Sequence, residues 1–306
     1  MNIIKLYYEP NKLKYEGQME NQMCNGYGKL YDTNGELLYD GQWVNNMSHG
    51  EGVSYKNKRV VYEGQWKYGM YNGYGKLYNE LNVYEGQWYF GMMYGHGTRH
   101  YDGFLAYRGE WKNDLYNGDG TSYYKDGSYT YCGEWLSSMF HGSGKYYEKG
   151  QLVYDGEWKN DICFGEGISY KNGVIEYVGY FEYDMRNGYG KYYRKHNMIY
   201  DGQWEKDMRH GSGKSYSLEG KLIYDGQWEK DRRNGKGKLY YENGQIIYDG
   251  YFEYNMYNGQ GTLYQMNGQK LYEGDCMNNM RHGHGRSYDK YGHIDYEGQW
   301  YNDRKI

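Results

Sequence analysis

Short alternating runs dominate the chain. In Leu37-Leu38-Tyr39-Asp40-Gly41-Gln42-Trp43, the residues Leu37, Tyr39, Gly41 and Trp43 fall on one side and Leu38, Asp40 and Gln42 on the other. A period of two, rich in aromatic residues, marks a β-strand. An Asn-Gly or His-Gly pair follows such runs, as at Asn25-Gly26, His49-Gly50 and Asn72-Gly73. It is read as the turn, because Asn-Gly supplies the positive φ of a tight hairpin. A second run returns, for example Gly28-Lys29-Leu30-Tyr31, and a further turn signal (Asn34-Gly35, Asp126-Gly127, Asn243-Gly244) leads into the next strand. The pattern predicts hairpin after hairpin. It leaves open the face of Tyr31, whose parity depends on a bulge near Gly26 and Gly28.

The runs recur with a fixed period, the mark of a repeat architecture. The Gly of Tyr-x-Gly falls at 17, 41, 64, 86, 109, 133, 156, 179, 202, 226, 250, 274 and 298, a spacing of 22 to 24 residues. Tyr stands two before it in all thirteen copies, and Trp two after it in nine. Met19, Phe181, Phe252 and Cys276 replace Trp in the other four. A Gly-x-Gly follows nine and eleven residues later, and Tyr three further on in eleven of twelve copies, with His100 the exception. Two representative frames are Tyr39, Gly41, Trp43, Gly50, Gly52 and Tyr55, and Tyr200, Gly202, Trp204, Gly211, Gly213 and Tyr216. Residues 1–306 read as a single domain of twelve complete repeats with a partial repeat at each end. Lys5-Leu6-Tyr7 looks like a second strand lacking its first, and Tyr296 to Ile306 a first strand lacking its return. Where Gly shares a face with Tyr and Trp, the missing side chain leaves room for a ring from a neighbouring strand. Two strands per repeat at ~4.8 Å each give roughly 9.6 Å per repeat and a rod on the order of 115 Å. The expected fold is all-β, an elongated antiparallel β-hairpin meander with solenoid-like nearest-neighbour contacts.

Composition agrees with this picture. The chain has 48 Gly and 47 Tyr but one Pro, and Ala106 is its one alanine. Aliphatic residues are too few for a thick core, so aromatic rings must carry the burial. A formal charge of −4 does not favour nucleic acid or a strongly anionic surface. Cys24, Cys132, Cys163 and Cys276 lie far apart without a Cys-x-x-Cys pair, so neither a zinc site nor a disulfide framework is indicated. The N-terminus lacks the apolar run of a signal peptide, and a reducing, cytoplasmic compartment is the expectation.

The motif Tyr-[Glu/Asp]-Gly-Gln-Trp-x(5)-[Asn/His]-Gly-x-Gly-[Lys/Thr]-x-Tyr resembles the MORN (membrane occupation and recognition nexus) repeat. Tyr200-Asp201-Gly202-Gln203-Trp204 through His210-Gly211-Ser212-Gly213-Lys214 matches closely, and the resemblance covers residues 5 to 304. It implies an elongated β-meander that mediates protein–protein contacts, self-association or membrane apposition. Relatives occur in cilia, basal bodies and parasite cytoskeletons, and some carry a kinase or methyltransferase domain, for which this chain has no room. A repeat-only chain points to a scaffold in a cytoskeletal or ciliary structure, such as the axoneme or a radial-spoke-like part. Protein partners are expected, with homo-oligomerisation through the terminal repeats, no nucleic acid, and a phosphoinositide or membrane-lipid tether as the rival reading.

Six residues after the Tyr-x-Gly glycine, Met recurs at Met23, Met47, Met70, Met92, Met139, Met185, Met208, Met256 and Met280. The column falls in what reads as the turn region. Its functional reading is an adaptable apolar stripe that grips a partner; its structural reading is a cover for the ring stack. Acidic residues after the first Tyr, and Lys or Arg after Gly-x-Gly, are expected to flank each other across strands. His282-Gly283-His284 suggests a metal site only superficially, because His49, His141, His210 and His282 occupy one turn column several repeats apart. No metal, cofactor or catalytic constellation stands outside the repeat columns, and no place is found where a broken repeat makes a pocket.

Overall fold

The computed structural model describes residues 3–306. Among them every regular element is a β-strand. The chain divides into two compact units, one ending at Gly150 and one beginning at Gln151. Within each unit, strands run antiparallel to their sequence neighbours, as in Lys12–Glu20 with Met23–Tyr31 and Met23–Tyr31 with Leu37–Val44. This is the hairpin meander that the alternation predicts.

The tight turn lies elsewhere than the sequence places it. Strand Lys12–Glu20 enters strand Met23–Tyr31 through Asn21-Gln22, at φ 50° and 62°. Asn45-Asn46, Asn113-Asp114 and Asn278-Asn279 turn the same way. Two consecutive residues with positive φ match the twist of the flanking strands, and Asn-Gly at 25–26 offers only one, Gly26 at 90°. Asn25-Gly26, His49-Gly50 and Asn72-Gly73 therefore sit inside the returning strand, where the register shifts between Gly17 and Met19. Gln18 covers this bulge, its Oε1 accepting from the Tyr27 amide at 2.8 Å, and Gln42 does the same for Glu51 at 2.9 Å. The connecting turns fall where expected: the Asp32 carboxylate accepts from the amides of Asn34 and Glu36, each at 2.8 Å, beside Gly35 at φ 83°. Near the C-terminus, Arg304–Lys305 begins the return strand that the sequence reading lacks, pairing with Trp300 and Tyr301.

The core is a row of glycines covered by rings. Gly17 pairs with Gly28, Gly28 with Gly41 and Gly41 with Gly52. Tyr15 runs along its own strand over Gly17 and reaches across Gly28, where a Cβ would meet its Oη at 2.2 Å. The covering ring thus belongs to the neighbouring strand for the second glycine of each pair only. The hydroxyl is not wasted, since Tyr15 donates to the Gln18 carbonyl at 2.8 Å, and Tyr39, Tyr62 and Tyr84 repeat the bond. Within each unit, Trp side chains lock onto the preceding repeat. The indole N–H of Trp43 donates to the Gly28 carbonyl at 2.9 Å, that of Trp88 to Gly75 and that of Trp204 to Gly190.

Tyr and Trp then alternate edge to face. In the first unit the ladder runs Tyr15–Trp43–Tyr39–Trp66–Tyr62–Trp88–Tyr84–Trp111–Tyr107–Trp135–Tyr131, with centroids 5.0 to 5.6 Å apart. In the second, Phe181 and Phe252 take the Trp place, and Cys276 interrupts the rings between Tyr248 and Tyr272. Such geometry complements the ring quadrupole and adds to burial. Tyr31 lies on the opposite face, one place beyond Leu30, which pairs with the buried Tyr15. Its equivalents Tyr78 and Tyr288 donate to Glu63 and Glu273 on that polar face.

Candidate functional site

With the core assigned, what remains for function lies on the polar face, at the hairpin turns and over the rings. The acidic and basic columns meet as expected: Lys29 with Asp40 at 3.3 Å, Lys76 with Glu85 at 3.4 Å and Lys238 with Asp249 at 3.2 Å. These exposed pairs are each worth little, about 0–1 kcal/mol. They form a solvated face rather than a free charge stripe.

The Met column does not sit within the turns. Each Met opens the returning strand immediately after one. Met47 pairs with Val44, Met70 with Lys67, Met92 with Tyr89 and Met139 with Leu136 in the first unit, as Met23 does with Glu20. In the second unit Met185, Met208 and Met256 pair with Glu182, Glu205 and Glu253, and Met280 with Met277. The adjoining pair, Trp43 with Ser48, lies on the aromatic face, so the Met column lies on the other one. Met47 and Met70 are exposed, and the remaining seven are half-buried. The column is an edge lining, not core.

A column that sequence reasoning missed lies one place after the Met position, and its rings and arginines pack on the ladder. It contains Tyr71, Tyr116, Phe140 and Tyr257, which stack flat on Tyr62, Tyr107, Tyr131 and Tyr248 at 3.7 to 4.1 Å. In the second unit the same place holds Arg186, Arg209, Arg233 and Arg281. Three lie over Trp204, Trp228 and Trp300 at 4.1 to 4.4 Å, and Arg233 lies over Phe252 at 5.4 Å. Such stacking is favourable for a guanidinium. Arg186, Arg209 and Arg281 also bind Asp207, Asp231 and Asp303 of the next turn, each at 2.9 Å. Arg233 meets Asn255 instead, through its backbone amide and one guanidinium nitrogen. Burial holds Arg233 below the usual guanidinium range, and Arg209 nearby adds to this. The signal that would have found the column is its recurrence of Tyr, Phe and Arg one place after the Met position.

The turns are tied back in the same way. The Gly69 amide donates to the Ser48 carbonyl at 3.0 Å and the Gly91 amide to that of Tyr71 at 2.8 Å, while Asp114 accepts from the Met93 amide at 2.8 Å.

Reactive groups are subdued. Burial raises the ladder tyrosines above the usual phenol range, pushes the Cys276 thiol up to about 11 and the Cys163 thiol up to about 12. Cys132 is exposed. Among the described residues, no three His, Cys, Asp or Glu side chains could hold a metal ion. Shallow hollows recur beside the connecting turns, as next to Ile175 and Tyr192 and next to Ile223 and Tyr240, and are a feature of the repeat and not a break in it. At Ala106, a depression of about 140 Å³ opens beside Tyr101, Phe104 and Tyr123. It is rimmed by the Asp102–Lys125 ion pair at 3.2 Å. The rim is a closed pair beside apolar walls.

This architecture, with glycine rows, rings clipping repeat to repeat within each unit and function left to edges, defines a β-repeat scaffold. The sequence model of the MORN repeat matches thirteen segments, at residues 15–36, 39–58, 62–79, 84–103, 107–129, 131–151, 154–174, 177–197, 200–217, 224–246, 248–270, 272–290 and 296–305. The chain belongs to the MORN-repeat family, whose repeats form non-catalytic scaffolds for protein or membrane-lipid interaction. A comparison with curated proteins returns no match.

Proposed function

We propose that the protein is a scaffold for protein–protein assembly in a cytoskeletal or ciliary structure, acting in the cytoplasm through its hairpin edges. One observation carries the reading: the repeat's own rings, turns and charges are spent on holding one repeat to the next, while a row of apolar side chains at the turn edge stays uncovered. Val44, Met47, Tyr68, Met70, Tyr89 and Phe90 are all exposed there. Unspent apolar surface on an otherwise self-satisfied array is what a partner would cover. Homo-oligomerisation through the terminal repeats belongs to the same proposal: Ile3, Ile4, Leu6 and Tyr7 of strand Ile3–Tyr8 are exposed beside Lys12–Glu20. Affinity capture of the natively expressed chain, followed by mass spectrometry of detergent-resistant and membrane fractions, tests the reading. Co-purification with cytoskeletal or axonemal subunits that resists detergent is expected. Recovery with membranes alone, lost in detergent and restored by anionic liposomes, would replace it with a lipid tether.

A further inference from the structure

The hairpin edge of the first unit sets aromatic turn residues in two successive repeats, whereas in the second unit Tyr183 and Tyr254, at φ 51° and 48°, hold the same place three repeats apart. The first turn residue must adopt positive φ, and Asn fills it at Asn21, Asn45 and Asn113. Tyr68 and Phe90 occupy the same place at φ 51° and 46°. A bulky side chain is disfavoured in that backbone region, where Asn is at home. Neither ring is buried in compensation: Tyr68 is 51% exposed and Phe90 39%. Tyr89 sits against Phe90 at 4.7 Å and against Tyr94 at 5.7 Å, and is itself 53% exposed. The Gly69 amide on the Ser48 carbonyl brings the Tyr68 turn beside Met47, and the Gly91 amide on Tyr71 brings the Phe90 turn beside Met70. The apolar groups of successive repeats are therefore contiguous.

Charge along this edge is one-sided. The four-residue hairpin ends from Val44 to Met139 contain Lys67 and Lys112 and a single acid, Asp114, whose carboxylate is held by the Met93 amide. Among the described residues neither lysine pairs with an acid, and Lys67 lies over the Tyr68 ring at 5.7 Å. Glu20 stands at the position of these lysines in the hairpin before them, and in the second unit the position carries Lys159 and then Glu182, Glu205, Glu229 and Glu253.

We infer that the hairpin edge of the first unit, centred on Tyr68, Met70, Tyr89 and Phe90, is a docking surface for an amphipathic α-helix of a protein partner whose apolar stripe is flanked by acidic residues. The strands end at this edge and the turn amides are already bonded to the preceding repeat, so no row of free amides is offered to an added strand. A partner must arrive with its own backbone satisfied, as a helix does. Spacing agrees: successive repeats lie roughly 9.6 Å apart, and two helical turns advance about 10.8 Å, so one apolar side chain meets each repeat. Lys67 and Lys112 face the helix flanks, where carboxylates complement them.

The inference deepens the scaffold reading by naming one surface and its occupant. Purified chain would be titrated with a fluorescein-labelled synthetic helix of three heptads, Leu at a and d and Glu at e and g, and with its Lys-flanked counterpart. Vesicles of phosphatidylcholine with and without phosphatidylserine complete the set. The Glu-flanked helix should bind, and the Lys-flanked one should bind at least about tenfold more weakly. Tyr68→Asn with Phe90→Asn, which gives each turn its favoured residue and so keeps the fold, should weaken binding about tenfold or more, the loss of a buried ring. Lys67→Glu with Lys112→Glu should reverse the preference between the helices. Absence of helix binding, equal binding of both helices, indifference to the Asn variants, or vesicle binding lost in those variants would each overturn the proposal. Because the titration uses no cellular partner, its failure would leave the capture result standing, and the two failures are distinguishable.

Discussion

Gly75→Ala isolates the steric logic of the core. Gly75 pairs with Gly64 inside strand Met70–Asn79 and has no positive φ, so its backbone would accept alanine. The added Cβ would meet Tyr62 at its Oη, 2.1 Å, and at its Cζ, 2.3 Å. Tyr62 has nowhere to go. It is 0% exposed, stacks on Tyr71 at 3.8 Å, meets Trp66 and Trp88 edge to face at 5.2 and 5.6 Å, and donates to the Gln65 carbonyl at 2.9 Å. Displacing the ring would forfeit about 2 kcal/mol of burial. Ring contacts add roughly 0.5–1.5 kcal/mol each, and the hydrogen bond about 1 kcal/mol. Partial relaxation leaves an expected cost of at least about 3 kcal/mol. Gly35→Ala is the control: nothing lies within 4 Å, and φ is 83°, so only the backbone penalty of about 1 kcal/mol applies. Urea unfolding followed by circular dichroism gives the difference. Hydrogen exchange should place the loss in Arg59–Lys67, Met70–Asn79 and their neighbours, since contacts run between adjacent repeats. Equal costs for the two variants would refute the reasoning, as would a Gly75→Ala cost that persists undiminished after Tyr62→Leu removes the obstructing ring.

Three further outcomes follow from the same geometry. Asn255→Asp gives Arg233 the acidic partner that Arg186, Arg209 and Arg281 have, and should raise stability by up to about 1 kcal/mol in a urea titration, an effect that salt reduces. Cys132 should react with a thiol reagent at neutral pH, while Cys276 and Cys163, raised to about 11 and about 12 by burial, should react only on unfolding. Burial raises the folded-state ionisation of Tyr39, Tyr62 and Tyr107 above the unfolded value, so their stabilisation is complete below about pH 10 and lost as pH climbs toward the folded value; tyrosinate absorbance should appear together with loss of β-sheet signal in an alkaline titration.

The repeat frame was legible because its central rule is strict: a ring over two glycines fixes Tyr15, Gly17 and Gly28 in their places, while the Trp43 place, where an indole N–H reaches Gly28, also admits Phe181, Phe252 and Cys276. The tight turn was misplaced because Asn25-Gly26 is a stronger local signal than Asn21-Gln22. The better clue was the column of Gly69, Asp114, Asp207 and Asn255 five residues after each frame glycine, residues suited to positive φ. Tyr31 could not be assigned to a face until the bulge fixed its parity. The column from Tyr71 to Arg281 was hidden because it varies in residue type, with flat groups at most places but Met93 and Cys163 at two. Its chemistry appears only once the ring beneath is located. The Met column was visible, but whether it was core or edge turned on its pairing with Val44 and Tyr89, which required the true turn.

Extraction of cells with non-ionic detergent tests the central claim most directly, with the chain compared to its Tyr68→Asn, Phe90→Asn variant. The account predicts that the chain stays with the insoluble cytoskeletal fraction and that the variant, equally folded, is released. Release of both with the membrane lipids would contradict it.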